Sequence, residues 1–585
     1  MRKTTVRKIA AAFLLLLACG GMSTLPAQNN SPLDTAPGGE MAAPAATPAT
    51  PKAPAATPAP APVTSAAPAA KGPSLLSNGD FQTATKDPAW PDGWGKGDGI
   101  TWETEGGKHF LRLVQKTPGK MLMAYREMAI PAGTKGLVIT IRYRTANVKS
   151  GAQPWFDARA IFHFIDASRQ PVKPDPKAII FSKKAATWTE GSAKCVVPPE
   201  AKTLQLMPAL FQAEAGTLDL AEVYVGAMSE SDAAAITAAA AASAKVEAER
   251  TGIIAKELTM PSISKELKVS GNKLVTADGE TVWLQGVNVV QLSWSSNGEN
   301  RVPWSMHVAL NDWNANVIRL PVMDSFWFGR GRGAEKENNQ EAYRTLVDNA
   351  IKLAAAKGAY VVLDLHRFLT PDQSCIDFWK DAAERYKNNP AVLFDVFNEP
   401  HGTSWDIWQK GGSVEMKTKE GTKTVEGVGM QALVDTIRAT GAKNIVVCGG
   451  LEYAFNLSGV LKGYALDDKG GNGIMYATHF YNWHKGWQEH FMAVAEKYPV
   501  LIGETGADIH KMNFIPAAAQ EDPYTWAPNA IGFIQKNHLN WTAWSLHTGA
   551  TPAMLADANY TPNPFWGQFV KDALHGKQFE MKSLR

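Results

Sequence analysis

The chain has 585 residues, of which 45% are hydrophobic and 20% charged, and its formal net charge is +3. That length exceeds what one hydrophobic core organises, so two or more folded units are expected. A net charge this near zero argues against the strongly basic or acidic surfaces that bind nucleic acid or charged membranes.

Residues 1–19 read as an export leader. Arg2, Lys3, Arg7 and Lys8 are basic, and residues 9–18 form an apolar run too short to span a bilayer. Leu16-Leu17-Ala18-Cys19 resembles a lipoprotein cleavage box, in which Cys19 becomes the lipidated first residue. The alternative is ordinary secretion with cleavage near Ala27. Either way the chain is expected to be exported, as a lipoprotein of a bacterial cell envelope or as a secreted protein. Membrane contact is expected only through that anchor. Residues 20–73, rich in Ala, Pro and Thr, cannot bury enough apolar surface to offset their ordering entropy and are expected to form a disordered tether. The remaining cysteines, Cys195, Cys375 and Cys448, show no zinc-site spacing, and no disulfide framework is expected. Cys448 reads as a small buried hydrophobe.

Residues 74–228 change character. Strand-like runs recur at 110–114, 138–143, 158–164, 178–181, 203–206 and 218–225, with Leu111 and Leu113 on alternate positions and no long helical pattern. This predicts an all-β sandwich. Asn78-Gly79-Asp80-Phe81, Pro91-Asp92-Gly93-Trp94 and the closing run 218–225 resemble jelly-roll carbohydrate-binding modules. The resemblance makes a glycan a candidate ligand, with Trp102, Trp155 and Trp188 as a candidate stacking platform and core packing as their competing role. Residues 229–262 are Ala-rich and are expected to form a helical linker.

In residues 263–585, apolar runs at 282–288, 317–322, 360–366, 392–399, 445–449, 474–480, 500–504 and 541–546 alternate with helical patterns such as 340–357, 375–387, 430–440 and 486–497. Eight such strands predict an α/β fold, a (β/α)8 TIM barrel. An open doubly wound sheet is disfavoured because no Gly-rich phosphate loop follows any strand. The whole is expected to be multidomain, a barrel preceded by a jelly-roll sandwich and a disordered tether.

Barrel enzymes carry their chemistry at the C-terminal strand ends. Polar residues collect there: Arg319 in the second strand, Asp364-Leu365-His366 ending the third, Asn398-Glu399-Pro400 the fourth, His479-Phe480-Tyr481 the sixth, Gly503-Glu504-Thr505-Gly506 the seventh, and Trp544 in the eighth. Two glutamates across one mouth suit glycosidic-bond cleavage, in which one carboxyl donates a proton to the leaving oxygen and the other attacks carbon or activates water. A zinc reading for His366, His479 and His484 lacks a coherent ligand spacing, and no metal or cofactor is expected. Asp364 is expected to face away from His366, as a structural partner.

Together, Arg319, His366, Asn398-Glu399-Pro400, His479-x-Tyr481, Glu504 and Trp544 resemble glycoside hydrolase family 5, a family of retaining (β/α)8 enzymes. The resemblance implies that Glu399 is the general acid/base and Glu504 the nucleophile. It implies that Asn398 binds the sugar 2-hydroxyl, that Arg319 and Tyr481 position Glu504, that His366 and His479 line the cleaving subsite, and that Trp544 is its platform. Arg367 departs from the family pattern, where a second His or an aromatic is common. The long connections after Pro400 and Glu504, with Trp405, Trp408, the charged stretch 415–426, Asp508, His510, Tyr524 and Trp526, are unfamiliar and leave the substrate open. Trp405, Trp483 and Trp526 are further candidate sugar platforms. The expected activity is that of a monomeric endo-β-1,4-glucanase acting on polysaccharide or oligosaccharide, with β-mannanase or an exo-glucosidase next. A surface glycan binder with an inactive barrel is the rival from another class.

Overall fold

The computed structural model describes residues 72–152, 155–330, 339–418 and 421–585. The leader, Cys19 and the tether up to residue 71 lie outside the described residues. Two compact units divide the chain between Arg250 and Thr251.

The first unit is a sandwich of two antiparallel sheets. One orders its strands Ile100–Glu105, Lys108–Val114, Ala215–Ala227, Gly136–Lys149 and Thr189–Val196. The other places Thr203–Leu210 between Ala158–Ile165 and the short strands Leu122–Met123 and Arg126–Ala129. Period-two alternation decides which face is buried. Leu111, Leu113, Leu218, Leu220, Ile139 and Ile141 turn inward to one core. Their neighbours Arg112, Asp219 and Arg144 turn outward, where Asp219 accepts from Arg112 Nε at 2.8 Å and from Arg144 Nε at 2.7 Å. The proposed tryptophan platform does not assemble on one face. Trp102 pairs in register with inward Leu111 and leans on the core. Trp188 instead meets outward Phe110 and lies 4.4 Å from the Arg144 guanidinium. Trp155 is exposed and packs edge-on against Phe156. The Ala-rich stretch forms one helix, Glu230–Glu257, largely solvated along its length.

The second unit is a closed barrel of eight parallel strands: Gln285–Asn288, Val317–Val322, Tyr360–Leu365, Val392–Asp395, Val446–Gly449, Ile474–Tyr481, Val500–Gly506 and Asn540–Ala543. Ile318, Leu320, Val361 and Leu363 face the surrounding helices. Val317, Tyr360, Val362, Leu393, Met475 and Leu501 fill the interior together with Leu267 and Leu274. The last two come from a three-stranded antiparallel cap, Leu267–Ser270, Lys273–Thr276 and Thr281–Val282. The run 282–288 is therefore two elements, its first residue in the cap and Gln285–Asn288 in the barrel. The stretch 486–497 is helical but irregular, a π-helical segment Gln488–Met492 running directly into the short α-helix Ala493–Ala495. The charged stretch 415–426 lies within a β-hairpin, Gly412–Thr418 with Gly421–Gly427, in which Val414 pairs with Val425. Cys195, Cys375 and Cys448 are buried and unpaired.

Candidate active site

Alternation along the second barrel strand sends Val317 into the interior, so Arg319 points inward too, at the C-terminal mouth. It is fully buried, and five acceptors share its guanidinium. Nε donates to Asp395 at 2.9 Å, Nη1 to Glu504 at 2.8 Å and Asn288 at 3.2 Å, and Nη2 to Asn398 at 2.7 Å, while Asp364 Oδ2 forms an ion pair with Nη2 at 3.0 Å. Burial alone would lower its pKa, but the charges of Asp364, Asp395 and Glu504 hold it above the ordinary value.

Asp364 and His366 are two positions apart and so lie on the same side of the strand, which corrects the expectation that Asp364 faces away. His366 Nδ1 lies 2.7 Å from Asp364 Oδ2, and its ring stacks on Trp544 at 5.7 Å and 10°. Burial pushes the His366 pKa down to about 4, so the ring is neutral at pH 7.

Glu504 owes its aim to an irregularity. Leu501 faces the interior and Ile502 the helices. A register shift against the sixth strand pairs Thr478 with Ile502 but His479 with Glu504. The extra residue is Gly503, where a Cβ would stand 2.8 Å from His479 Nε2, so only glycine lets the ring and the strand approach. The Gly503 carbonyl accepts from Thr542 Oγ1 at 2.6 Å and from Asn288 Nδ2 at 2.9 Å. Glu504 is thereby brought to Arg319 through Oε1 and to the Tyr481 hydroxyl through Oε2, the latter at 2.5 Å. Burial and the Glu504 charge hold the Tyr481 pKa far above its usual value.

Glu399 lies just beyond the fourth strand. Its Oε1 is 3.0 Å from His479 Nδ1. Burial, then the Glu504 charge, raises its pKa well above that of an ordinary glutamate. Burial and Arg319 push His479 the other way, so the imidazole stays neutral. Glu399, His479 and Glu504 each bring one atom within 4.8 Å of the others. A cation would have to compete there with Arg319 and Tyr481 for Glu504. Four carboxyl groups, Asp364, Asp395, Glu399 and Glu504, crowd one guanidinium. Burial raises the pKa of Asp364 and Asp395 as well, so the cluster retains protons that exposed carboxyls would lose.

The structure gathers Arg319, His366, Asn398, Glu399, His479, Tyr481, Glu504 and Trp544 at one mouth. Around them, Trp483 stacks on Tyr481 at 4.8 Å and 10°, while exposed Phe514 meets its edge. Trp526 is fully buried within a helix and cannot be a sugar platform. Trp408 is also buried, donating to the Gly449 carbonyl, and Trp405 packs against it. His484 accepts from the Tyr481 backbone N–H and stacks on Phe455, apart from any ligand cluster. Asn288 and Asp395 were not singled out from the sequence. Their signal was a polar residue within an apolar strand, where it costs stability unless partnered.

Fold and site define a (β/α)8 barrel with a paired-carboxyl centre at its C-terminal mouth. Residues 275–549 match the family model Cellulase (glycosyl hydrolase family 5). Endoglucanase A of Butyrivibrio fibrisolvens is 28% identical over 273 residues, 45% of this chain and 56% of that protein. Cellulase CelDZ1 of a Thermoanaerobacterium species is 26% identical over 307 residues, 49% of this chain and 72% of that protein. The chain thus spans little more than half the length of the first of these relatives. The native structure of a β-glucanase from Saccharophagus degradans aligns with 54% of this chain and 94% of its own at 24% identity and a TM-score of 0.44.

Proposed function

We propose that the barrel is a retaining glycoside hydrolase cleaving β-linked glucan, with Glu504 as nucleophile and Glu399 as acid/base. One observation carries this reading: oxygens of the two glutamates lie within 4.8 Å of each other, in environments that differ in kind. Retaining enzymes hold their carboxyl groups about 5–5.5 Å apart, whereas inverting enzymes leave about 6.5–9.5 Å for a water. Glu504 accepts hydrogen bonds from Arg319 Nη1 and from the Tyr481 hydroxyl, which fix the aim of both its oxygens. Glu399, held protonated by burial and by the charge opposite, is the acid.

In the first step a Glu504 oxygen forms a bond to the anomeric carbon while the bond to the leaving sugar breaks. The Glu399 proton passes to the glycosidic oxygen, and that sugar departs as an alcohol. Esterification removes the Glu504 charge, which was raising the Glu399 pKa, so Glu399 now ionises readily. As a base it takes a proton from water, whose oxygen attacks the anomeric carbon and frees Glu504. The Asn398 amide nitrogen is buried without a protein partner, a donor available to the sugar 2-hydroxyl. Trp544, with His366 stacked beside it, is the platform under the ring.

The names of the relatives, an endoglucanase and a cellulase, favour internal β-1,4-glucan bonds as the target. Release of reducing ends from a panel of β-glucans, mannans and xylans tests the substrate. Glu504→Ala should lose on the order of 10⁴-fold or more in kcat, and Glu399→Gln about 10²–10⁴-fold on unactivated glycan. Wild-type turnover by either folded variant defeats the assignment. The reading extends to an exported monomer, tethered through lipid on Cys19, with the sandwich as a glycan-holding module. Mass analysis of the mature N-terminus and a pull-down of residues 74–228 on insoluble glucan test those two parts.

A further inference from the structure

The loop after the third barrel strand is fastened by an arginine that is not among the groups of the carboxyl cluster. We infer that Arg367 is a positioning residue for Glu399, fixing the proton donor through the backbone beneath it. This rests on the hydrolase reading given above.

The fourth barrel strand ends at Asp395, so Glu399 has already left the barrel ladder. Its backbone is registered on the third-strand extension instead. Asn398 N donates to Leu365 O at 3.1 Å, Glu399 N to Arg367 O at 3.1 Å and His401 N to Leu369 O at 3.0 Å. The resulting ladder, Phe368–Leu369 against Glu399–Pro400, is only two residues long. It is also strained, since Leu369 sits at φ 81°, a region that suits glycine. Strained backbone of this kind persists only where its surroundings over-determine it.

Arg367 supplies that determination. Its Nη1 donates to Asp324 Oδ2 and Ser374 Oγ, each at 3.0 Å, and Nη2 donates to Asp372 Oδ2 at 3.0 Å. Asp324 opens the short helix Asp324–Trp327 after the second strand. Asp372 caps the helix Gln373–Tyr386 by accepting from Ser374 N at 3.0 Å. One planar guanidinium therefore ties three segments together, a geometry that the single ammonium of lysine cannot reproduce. Glu504 does not hang on this clamp, because Arg319, Tyr481 and the pinned Gly503 carbonyl hold it from other strands. Loosening Arg367 should therefore misplace the acid and spare the nucleophile.

Leaving-group dependence separates the two. An unactivated sugar needs the Glu399 proton to depart, whereas 2,4-dinitrophenolate departs without it. Arg367→Ala should lower kcat/KM on cello-oligosaccharide about 10–100-fold, the scale of an ångström-sized misplacement. On 2,4-dinitrophenyl β-cellobioside, kcat/KM should stay within about twofold, since in that ratio only glycosylation counts. Azide, which needs no general base, should raise the variant's kcat on the activated substrate and leave the wild type unchanged. Arg367→Lys should recover part of the loss.

Equal losses on both substrates, no loss, or a change confined to KM would overturn the inference. If Arg367→Ala does not fold, Asp324→Asn and Asp372→Asn each weaken one arm of the clamp. The same split on a smaller scale supports the inference, and a uniform loss overturns it. Wild-type protein inert toward both substrates sinks the hydrolase reading instead. The clamp is then judged from a crystal structure of Arg367→Ala. A Glu399 carboxyl still within hydrogen-bond reach of His479 refutes it, and one withdrawn from His479 upholds it.

Discussion

On the outer face of the sandwich, one buried carboxylate is shared by two arginines. At the barrel mouth, one buried arginine is shared by three carboxylates, with a fourth carboxyl close by. In the sandwich, Asp219 and Glu105 face Arg112 and Arg144, two negative groups against two positive ones. At the mouth, Asp364, Asp395, Glu399 and Glu504 face Arg319 alone, four against one. A balanced cluster has no reason to bind protons near neutrality. An unbalanced one in low dielectric must hold them, and a site that stores a proton between two carboxyls is equipped for acid/base chemistry. Arginine and carboxylate are the ingredients of both, and the ratio separates packing from catalysis.

The comparison breaks most visibly at its cation. Arg319→Met should destabilise the barrel by about 3–5 kcal/mol, because it strands buried carboxylates without a partner. Turnover should be abolished in the fraction that folds. Denaturant unfolding followed by tryptophan fluorescence, with kcat on the same samples, measures both. A barrel as stable as wild type would mean that the carboxyls are fully protonated without help from Arg319.

A smaller effect is expected from the sandwich. Asp219→Asn keeps the shape but removes the charge between Arg112 and Arg144, whose side chains are 35% and 21% exposed and so partly rescued by water. A loss of about 2 kcal/mol in sandwich stability is expected, with kcat/KM on a soluble substrate unchanged. A fall in kcat/KM would show that the sandwich cluster contributes to the chemistry.

Much of this was legible in the residues. All eight barrel strands and the gathered mouth follow from apolar runs that end in polar residues, since a buried ring of parallel strands leaves little else to read. What escaped notice was local geometry. Glu504 would face the helices by strict alternation after Leu501, and the bulge at Gly503 turns it inward. Gly-Glu at a strand end carries that information, but only once the neighbouring His479 ring is in place to exclude a Cβ. The shared side of Asp364 and His366 is legible too, since two positions along a strand bring side chains back to the same face. Trp526 sits in a stretch that reads as a loop but folds into a helix capped by Asp522, and the helix buries it. The hairpin that contains 415–426 is hidden in the sequence because its charges outweigh the apolar pair Val414 and Val425.

The finest test of the comparison is a difference in pH slope. Burial pushes the Asp395 pKa up to about 8, against about 3.9 in an unfolded chain. A carboxyl raised on folding contributes its full stability below the unfolded value and loses it as pH climbs through the folded value. Relative to Asp395→Asn, which does not titrate, the wild type should therefore lose ground between pH 5 and pH 8. The difference in barrel Tm should shift by a few degrees in the variant's favour. In the sandwich, hydrogen bonds from Arg169, Tyr125 and Gln205 hold Glu127 down to about 2. Its contribution is present above the unfolded value near 4.3 and is lost only as pH falls toward 2. Glu127→Gln should accordingly sit at a constant offset from wild type across pH 5 to 8. Parallel offsets for the two variants would mean that Asp395 is ionised in the folded barrel, and that the mouth holds fewer protons than four carboxyls around one guanidinium require.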